Sequence, residues 1–257
     1  MFVETKNALS GAAVKKAGFL NKSLGRYLVA SSWAGTYVGL GIILIMVVGS
    51  FGASVGSPYT KMLMGLSFGI ALSLVIMAGS ELFTGNNLIM TVGALDKKVT
   101  WKDAIKVWIA SYAGNFVGSF IIGGLFVMTS ISGTATGDFI LKVAAGKMEG
   151  AFLPLMMKGI LCNLLVCLAV LCAVRMKSES GKLIMIFWCL FAFITAGFEH
   201  SIANMTIFAM GLFMPHTEAI SVSGMFANLI PVTIGNFIGG AIMLGGTYFY
   251  MGNTKAE

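Results

Sequence analysis

The chain has 257 residues, 57% of them hydrophobic and only 11% charged, where soluble domains carry about 25%. That composition excludes a soluble domain and indicates a polytopic membrane protein. The formal net charge of +7 does not point to nucleic acid, because the basic residues are distributed as a topology signal.

Residues 2–26 are not a span. Phe2, Leu9, Ala13, Ala17, Leu20 and Leu24 recur near helical spacing, with Lys6, Lys15, Lys16, Lys22 and Arg26 between them. This is the pattern of an amphipathic helix lying in the membrane interface; a basic tail is the plainer alternative. The segment shows no signal-peptide pattern.

A six-helix transmembrane domain over 27–251 follows, with a short tail at 252–257. Its six apolar stretches lie at about 28–51, 62–95, 104–128, 151–174, 183–214 and 222–251. Each accommodates the roughly 20 residues a membrane-crossing helix needs. The second and fifth exceed one span, and both are interrupted. The first break is Gly79-Ser80-Glu81-Leu82-Phe83-Thr84-Gly85-Asn86-Asn87, and the second is Gly197-Phe198-Glu199-His200-Ser201-Ile202-Ala203-Asn204. A helix that stops in mid-bilayer frees backbone groups, which is tolerated only where protein or a water-filled cavity surrounds them. Each of these two stretches is predicted to form a helix, a break and a half-helix.

Thirteen of the seventeen basic residues fall on one side of a six-span layout. They are the five of the N-terminal segment, Lys97, Lys98, Lys102, Lys106, Arg175, Lys177, Lys182 and Lys255; Lys61, Lys142, Lys147 and Lys158 fall on the other. The positive-inside rule then places both termini in the cytoplasm, in a multi-pass protein of the cell's inner (plasma) membrane.

The chain repeats itself. Gly114-Asn115-Phe116-Val117-Gly118 matches Gly235-Asn236-Phe237-Ile238-Gly239 at an offset of 121, and Gly79, Glu81 and Asn86 match Gly197, Glu199 and Asn204 at 118. Two three-span repeats, at about 27–128 and 151–251, follow, and an odd span number inverts the second. Inverted repeats place their sites at broken helices near the midplane. The Gly-x-x-x-Gly pairs Gly35/Gly39, Gly65/Gly69, Gly114/Gly118 and Gly235/Gly239 are read as packing positions, within a protomer or between protomers.

Of the acidic residues, only Glu81 and Glu199 lie deep in apolar stretches, at equivalent repeat positions. Intramembrane ionisable groups are functional candidates by default. The stronger reading here is structural: each carboxylate accepts from N–H groups freed at the break and anchors the loop, with Asn86 and Asn204 beside them. His200 is the histidine assigned to the pore; a packing histidine is the alternative. A neutral imidazole donates or accepts a hydrogen bond, and Thr84 offers a hydroxyl that does both. Half-helix N-termini add positive potential for an anion. Cys162, Cys167, Cys172 and Cys189 lie in apolar runs without zinc spacing, so no metal and no cofactor is expected. His-Glu-x-x-His does not occur, and no enzyme is expected. The absence of Asn-Pro removes the aquaporin motif.

Three pieces carry a family resemblance: Glu81-Leu82-Phe83-Thr84-Gly85, the run from Gly159 to Ala169 around Asn163, and Gly197-Phe198-Glu199-His200-Ser201-Ile202-Ala203-Asn204-Met205. With them the chain resembles the formate/nitrite transporter family over nearly its whole length, and within it the bacterial hydrosulfide channel branch. The resemblance implies an all-α membrane protein with an aquaporin-like protomer, assembled as a homopentamer in the bilayer with one pore per protomer. It implies a cytoplasmic constriction of Leu72, Leu82 and Phe193, an external one of Phe68, Phe83 and Val166, and Thr84 and His200 between them. Lys147 matches a family lysine near the external vestibule, although from sequence alone a solvated loop lysine is an equal reading. Asn163 becomes a polar neighbour of the pore. The expected function is passive conduction of small monovalent anions such as hydrosulfide, formate or nitrite. The alternative is a proton-coupled carrier of the same substrates.

Overall fold

A computed structural model describes residues 1–253; Lys255 and most of the expected tail lie outside the described residues. Among those residues every regular element is helical. Six stretches are long and apolar enough to cross a membrane: Leu24–Ser54, Thr60–Gly79, Trp101–Val127, Phe152–Arg175, Glu179–Ala196 and Val222–Gly252.

Helix α1 (Phe2–Lys22) ends at Ser23, whose extended backbone turns the chain. The Ser23 hydroxyl then accepts the Arg26 N–H and caps α2 (Leu24–Ser54). The second stretch is segmented as α3 (Thr60–Ser67), α4 (Ile70–Leu74) and a π-helical turn over Val75–Gly79. After the break comes the half-helix α5 (Phe83–Leu95). A reciprocal capping box between Thr100 and Asp103 starts α6 (Trp101–Val127). The second half contains α7 (Ala135–Met148), α8 (Phe152–Arg175), α9 (Glu179–Ala196) and the half-helix α10 (Ser201–Phe213). It closes with α11 (Val222–Phe237), a π-helical stretch over Ile238–Gly246, and α12 (Thr247–Gly252).

The repeat is visible in the packing. In the first half α2 lies along α6, and in the second α8 lies along α11. Both seams are set by the same glycine pair. A Cβ on Gly118 would collide with the backbone of Ser32, and one on Gly114 with Ser31. In the second half, Gly235 and Gly239 rest on the backbones of Met156 and Ile160. Gly65 and Gly69 press on Phe191, Thr195 and Phe187 of α9. The Gly-x-x-x-Gly pairs therefore serve contacts within one chain.

Two features differ from expectation. The apolar stripe of α1 is covered by protein rather than offered to the membrane interface. Leu9 and Ala13 are 0% exposed, because the helix packs on α5, α8 and α12. The connection between the third and fourth spans is not a simple loop, because α7 fills it. The Thr134 hydroxyl caps α7 by accepting the Thr136 N–H, and Ile140, Ala144 and Met148 bury its inner face.

Candidate functional site: two broken helices and the gap between them

The half-helices meet at the centre of the bundle. Nearly all of α5 and α10 is buried, from Phe83 to Ala94 and from Ser201 to Gly211, so protein surrounds them as the bilayer requires. Neither break leaves its first helical amide to water. The Phe83 N–H donates to Asn115 Oδ1 at 2.9 Å, and Asn115 Nδ2 donates to the carbonyls of Glu81 at 2.9 Å and Ser31 at 2.7 Å. In the other repeat the Ser201 N–H donates to Asn236 Oδ1 at 2.9 Å. Asn236 Nδ2 donates to the carbonyls of Glu199 and Gly159, both at 2.9 Å. Both side chains are 0% exposed. Asn115 and Asn236 are the centres of the repeated Gly-Asn-Phe motif, which from sequence marks the repeat and assigns only its glycines to packing. Their identity at one repeat offset was the available signal.

The two glutamates are held differently from the expectation. Freed N–H groups go to the asparagines, and the carboxylates receive side chains. Glu81 accepts from Lys16 Nζ at 2.9 and 3.0 Å, Tyr27 O–H at 2.9 Å and Asn86 Nδ2 at 3.2 Å. Glu199 accepts from Lys147 Nζ at 2.7 Å and Asn204 Nδ2 at 2.6 Å. Asn228 links this second set, accepting from Asn204 at 2.9 Å and donating to the Lys147 carbonyl at 2.9 Å. Each break thus carries one lysine, one glutamate and one asparagine. Lys147 is drawn into it from α7.

Between the breaks the polar contact is Thr84 Oγ1 to His200 Nε2 at 3.0 Å, with both residues buried. His200 also caps α10, its Nδ1 accepting the Ala203 N–H at 3.1 Å. An Nδ1 that accepts holds no proton, so this bonding pattern assigns the neutral tautomer with the proton on Nε2. Nε2 then donates to Thr84. Asn163 Nδ2 and Cys167 Sγ, both on α8, contact the Thr84 carbonyl at 3.3 Å and fix that turn from behind. Gly240 leaves room for the Asn163 amide, which a Cβ would strike.

Two chambers flank this pair. One, of 440 Å³, opens on the α1 side and is lined by Lys16, Glu81, Leu82 and Leu72. The other, of 610 Å³, lies opposite and reaches Phe193, Glu199 and His200. Only a 10 Å³ gap lies between, walled by Val38, Phe68, Ala71, Leu72, Leu82, Val166, Leu190, Phe193 and His200. Five of the six residues expected in two constrictions therefore surround one narrow gap. Phe83 does not. Its ring packs edge-on against Tyr112 with centroids 5.0 Å apart, and it lines an outer apolar groove with Trp108 and Thr233. His216, given no role, is exposed.

Comparison with known proteins agrees with this geometry. A sequence model described as "Formate/nitrite transporter" matches residues 3–250. The nitrite transporter NirC of Escherichia coli is 41% identical over 252 residues, covering 97% of this chain and 92% of that one. A solved "FNT family ion channel" superposes with a TM-score of 0.90 at 38% identity, covering 96% of this chain and 98% of that one. A "Pentameric formate channel with formate bound" superposes at 0.78 with 29% identity, over 90% and 98% of the two chains.

Proposed function

Because this chain belongs to the formate/nitrite transporter family, we propose that it is a passive channel for small monovalent anions, nitrite, formate and hydrosulfide among them. The observation that carries this reading is the Thr84–His200 pair at 3.0 Å, set beside an apolar gap that joins two chambers. An anion stripped of water in that gap is costly unless hydrogen bonds replace its hydration. With Nε2 donating to Thr84 Oγ1, the Thr84 hydroxyl is left as a donor to the anion.

The tautomer also bears on whether a proton crosses. To lend its Nε2 proton without becoming an imidazolate, His200 must first take a second proton at Nδ1, and Nδ1 is engaged by the Ala203 N–H. Lending a proton therefore breaks the cap of α10. This favours an anion that keeps its hydrogen bonds over one carried across as its acid, and it favours the channel over the proton-coupled carrier. We place the α1 side in the cytoplasm, following the basic residues, and the protein in the inner membrane as a homopentamer.

The deciding experiment is flux of nitrite, formate, hydrosulfide and chloride through purified protein in vesicles. Currents reversing at the anion's own equilibrium potential support the channel. Uphill accumulation driven by a pH gradient alone refutes it.

A further inference from the structure

The two chambers differ in charge. The chamber on the α1 side is lined by one lysine and one glutamate, Lys16 and Glu81, which pair with each other at 2.9 Å. The opposite chamber is lined by three lysines, Lys61, Lys147 and Lys158, and one glutamate, Glu199. Lys147 takes the glutamate at 2.7 Å. Lys61 and Lys158 form no ion pair among the described residues, and both are exposed.

These two lysines are rooted on either side of the second break. Lys61 comes from the first turn of α3, and its Nζ lies 3.8 Å from where a Cβ on Gly197 would stand. Gly197 has φ +74°, and the Lys61 ammonium lies within ordinary contact distance of that turn. Lys158 comes from α8, and its carbonyl accepts the Glu199 N–H at 3.4 Å. Both residues therefore border the segment that ends at His200, in a chamber with low-dielectric walls. Such walls focus the field of unpaired charges and raise the local concentration of counter-ions.

We propose that Lys61 and Lys158 form an anion-capture site in this chamber, distinct from the Lys147–Glu199 pair, which holds one small oxyanion before it enters the gap. The proposal rests on the anion-channel reading above. An ammonium is a compact charge with three rotatable donors, so the site discriminates little among monovalent anions. Selection stays with Thr84 and His200. A passive pore has the same low-concentration permeability in both directions. The site therefore appears as a lower half-saturation concentration on its own side, not as one-way flow.

The test uses the full chain in vesicles sorted by orientation, with sodium nitrite as the permeant. In K61Q/K158Q the half-saturation concentration on the chamber side is expected to rise about three- to tenfold, and on the α1 side to change by less than about twofold. The rise in the chamber-side value is expected to shrink at about 0.5 M inert salt, where the Debye length is only a few ångströms. In parallel, amine acylation of the solubilised wild-type protein is followed by mass spectrometry. Nitrite is expected to protect Lys61 and Lys158 but not the exposed Lys142 of α7. An unchanged half-saturation in the double variant, an equal rise on both sides, or labelling indifferent to nitrite overturns the proposal. A wild-type protein that passes no anion refutes the channel reading instead, and the labelling then decides the site independently.

Discussion

Removing Asn236 tests whether the two breaks are held as described. In Asn236→Ala the Ser201 N–H and the carbonyls of Glu199 and Gly159 lose this partner, and the residue is 0% exposed. Gly159 lies inside α8, where a carbonyl also accepts along the helix, so two groups at the break are left unsatisfied. A buried polar group left unsatisfied costs about 1–3 kcal/mol, so the two together cost about 2–6 kcal/mol. Water from the neighbouring 610 Å³ chamber can replace part of what is lost, which moves the expectation to about 2–4 kcal/mol. Domain stabilities are about 5–15 kcal/mol, so the variant folds but is clearly weakened. Asn115→Ala removes the equivalent bonds to Phe83 and Glu81 and should cost the same within about 1 kcal/mol. The assay is unfolding in mixed detergent micelles, with nitrite flux measured on the folded fraction. A loss below about 1 kcal/mol in both variants, with flux and selectivity intact, would refute the assignment of these asparagines as the partners of the broken backbone.

Thr84→Val keeps the shape and removes the hydroxyl; losing one hydrogen bond to a charged permeant, about 1.5–3 kcal/mol, should lower vesicle flux about 10- to 100-fold, and wild-type flux would remove Thr84 from the mechanism. Gly197→Ala forces a side chain to φ +74° and should cost about 1–2 kcal/mol in the same micelle assay. Gly11→Ala, on α1 with nothing within 4 Å, should be neutral or stabilising by up to about 1 kcal/mol; equal losses in the two glycine variants would show that backbone strain is not the cause. Asp96 caps α5 outside the spans and holds Lys6 of α1 at 2.7 Å. Burial pushes its carboxyl up, but the hydrogen bond and charge of Lys6 outweigh that and hold it below the usual value. A depressed carboxyl contributes stability above its unfolded pKa of about 3.9 and loses it as pH falls through the folded value. Limited proteolysis of α1 should therefore be flat from about pH 8 to 5 and rise only below about pH 4. A rise already near pH 6 would assign the release to another group.

The architecture was readable because its signals are long or repeated. A stretch such as 62–95 is too long for one span and contains polar residues at its centre, so the break between the π-helical turn and α5 follows from bilayer thickness alone. The seam glycines were readable as packing, but not their partners, because Gly118 meets Ser32 across a separation no local pattern encodes. The same limit hid the Lys147–Glu199 and Lys16–Glu81 pairs, which join segments 52 and 65 residues apart. Phe83 shows a different limit. It directly follows Leu82, the N-cap of α5, whose backbone is extended at φ −97° and ψ 123°, and successive side chains of an extended chain point to opposite faces. Leu82 in the gap thus sends Phe83 toward Tyr112, and resemblance by position did not distinguish the two faces. The inner face of α7 is legible in the spacing of Ile140, Ala144 and Met148, but at 14 residues the helix is too short to stand out as a span.

The enclosure of α5 and α10 bears on how the protein is made. Each has 13 residues, about 20 Å of helix, against a hydrocarbon core of about 30 Å. Neither can cross the bilayer alone, and each carries polar groups at the end that stops short. During synthesis such segments have no stable resting place in lipid. They can settle only after α6 and α11 have brought Asn115 and Asn236 to meet them. Because Asn236 lies near the end of α11, close to the end of the described chain, the second half-helix waits for nearly the whole chain. Assembly of the permeation path is therefore the closing event of insertion rather than an early one, and a ribosome stalled before residue 236 would leave α10 without its partner.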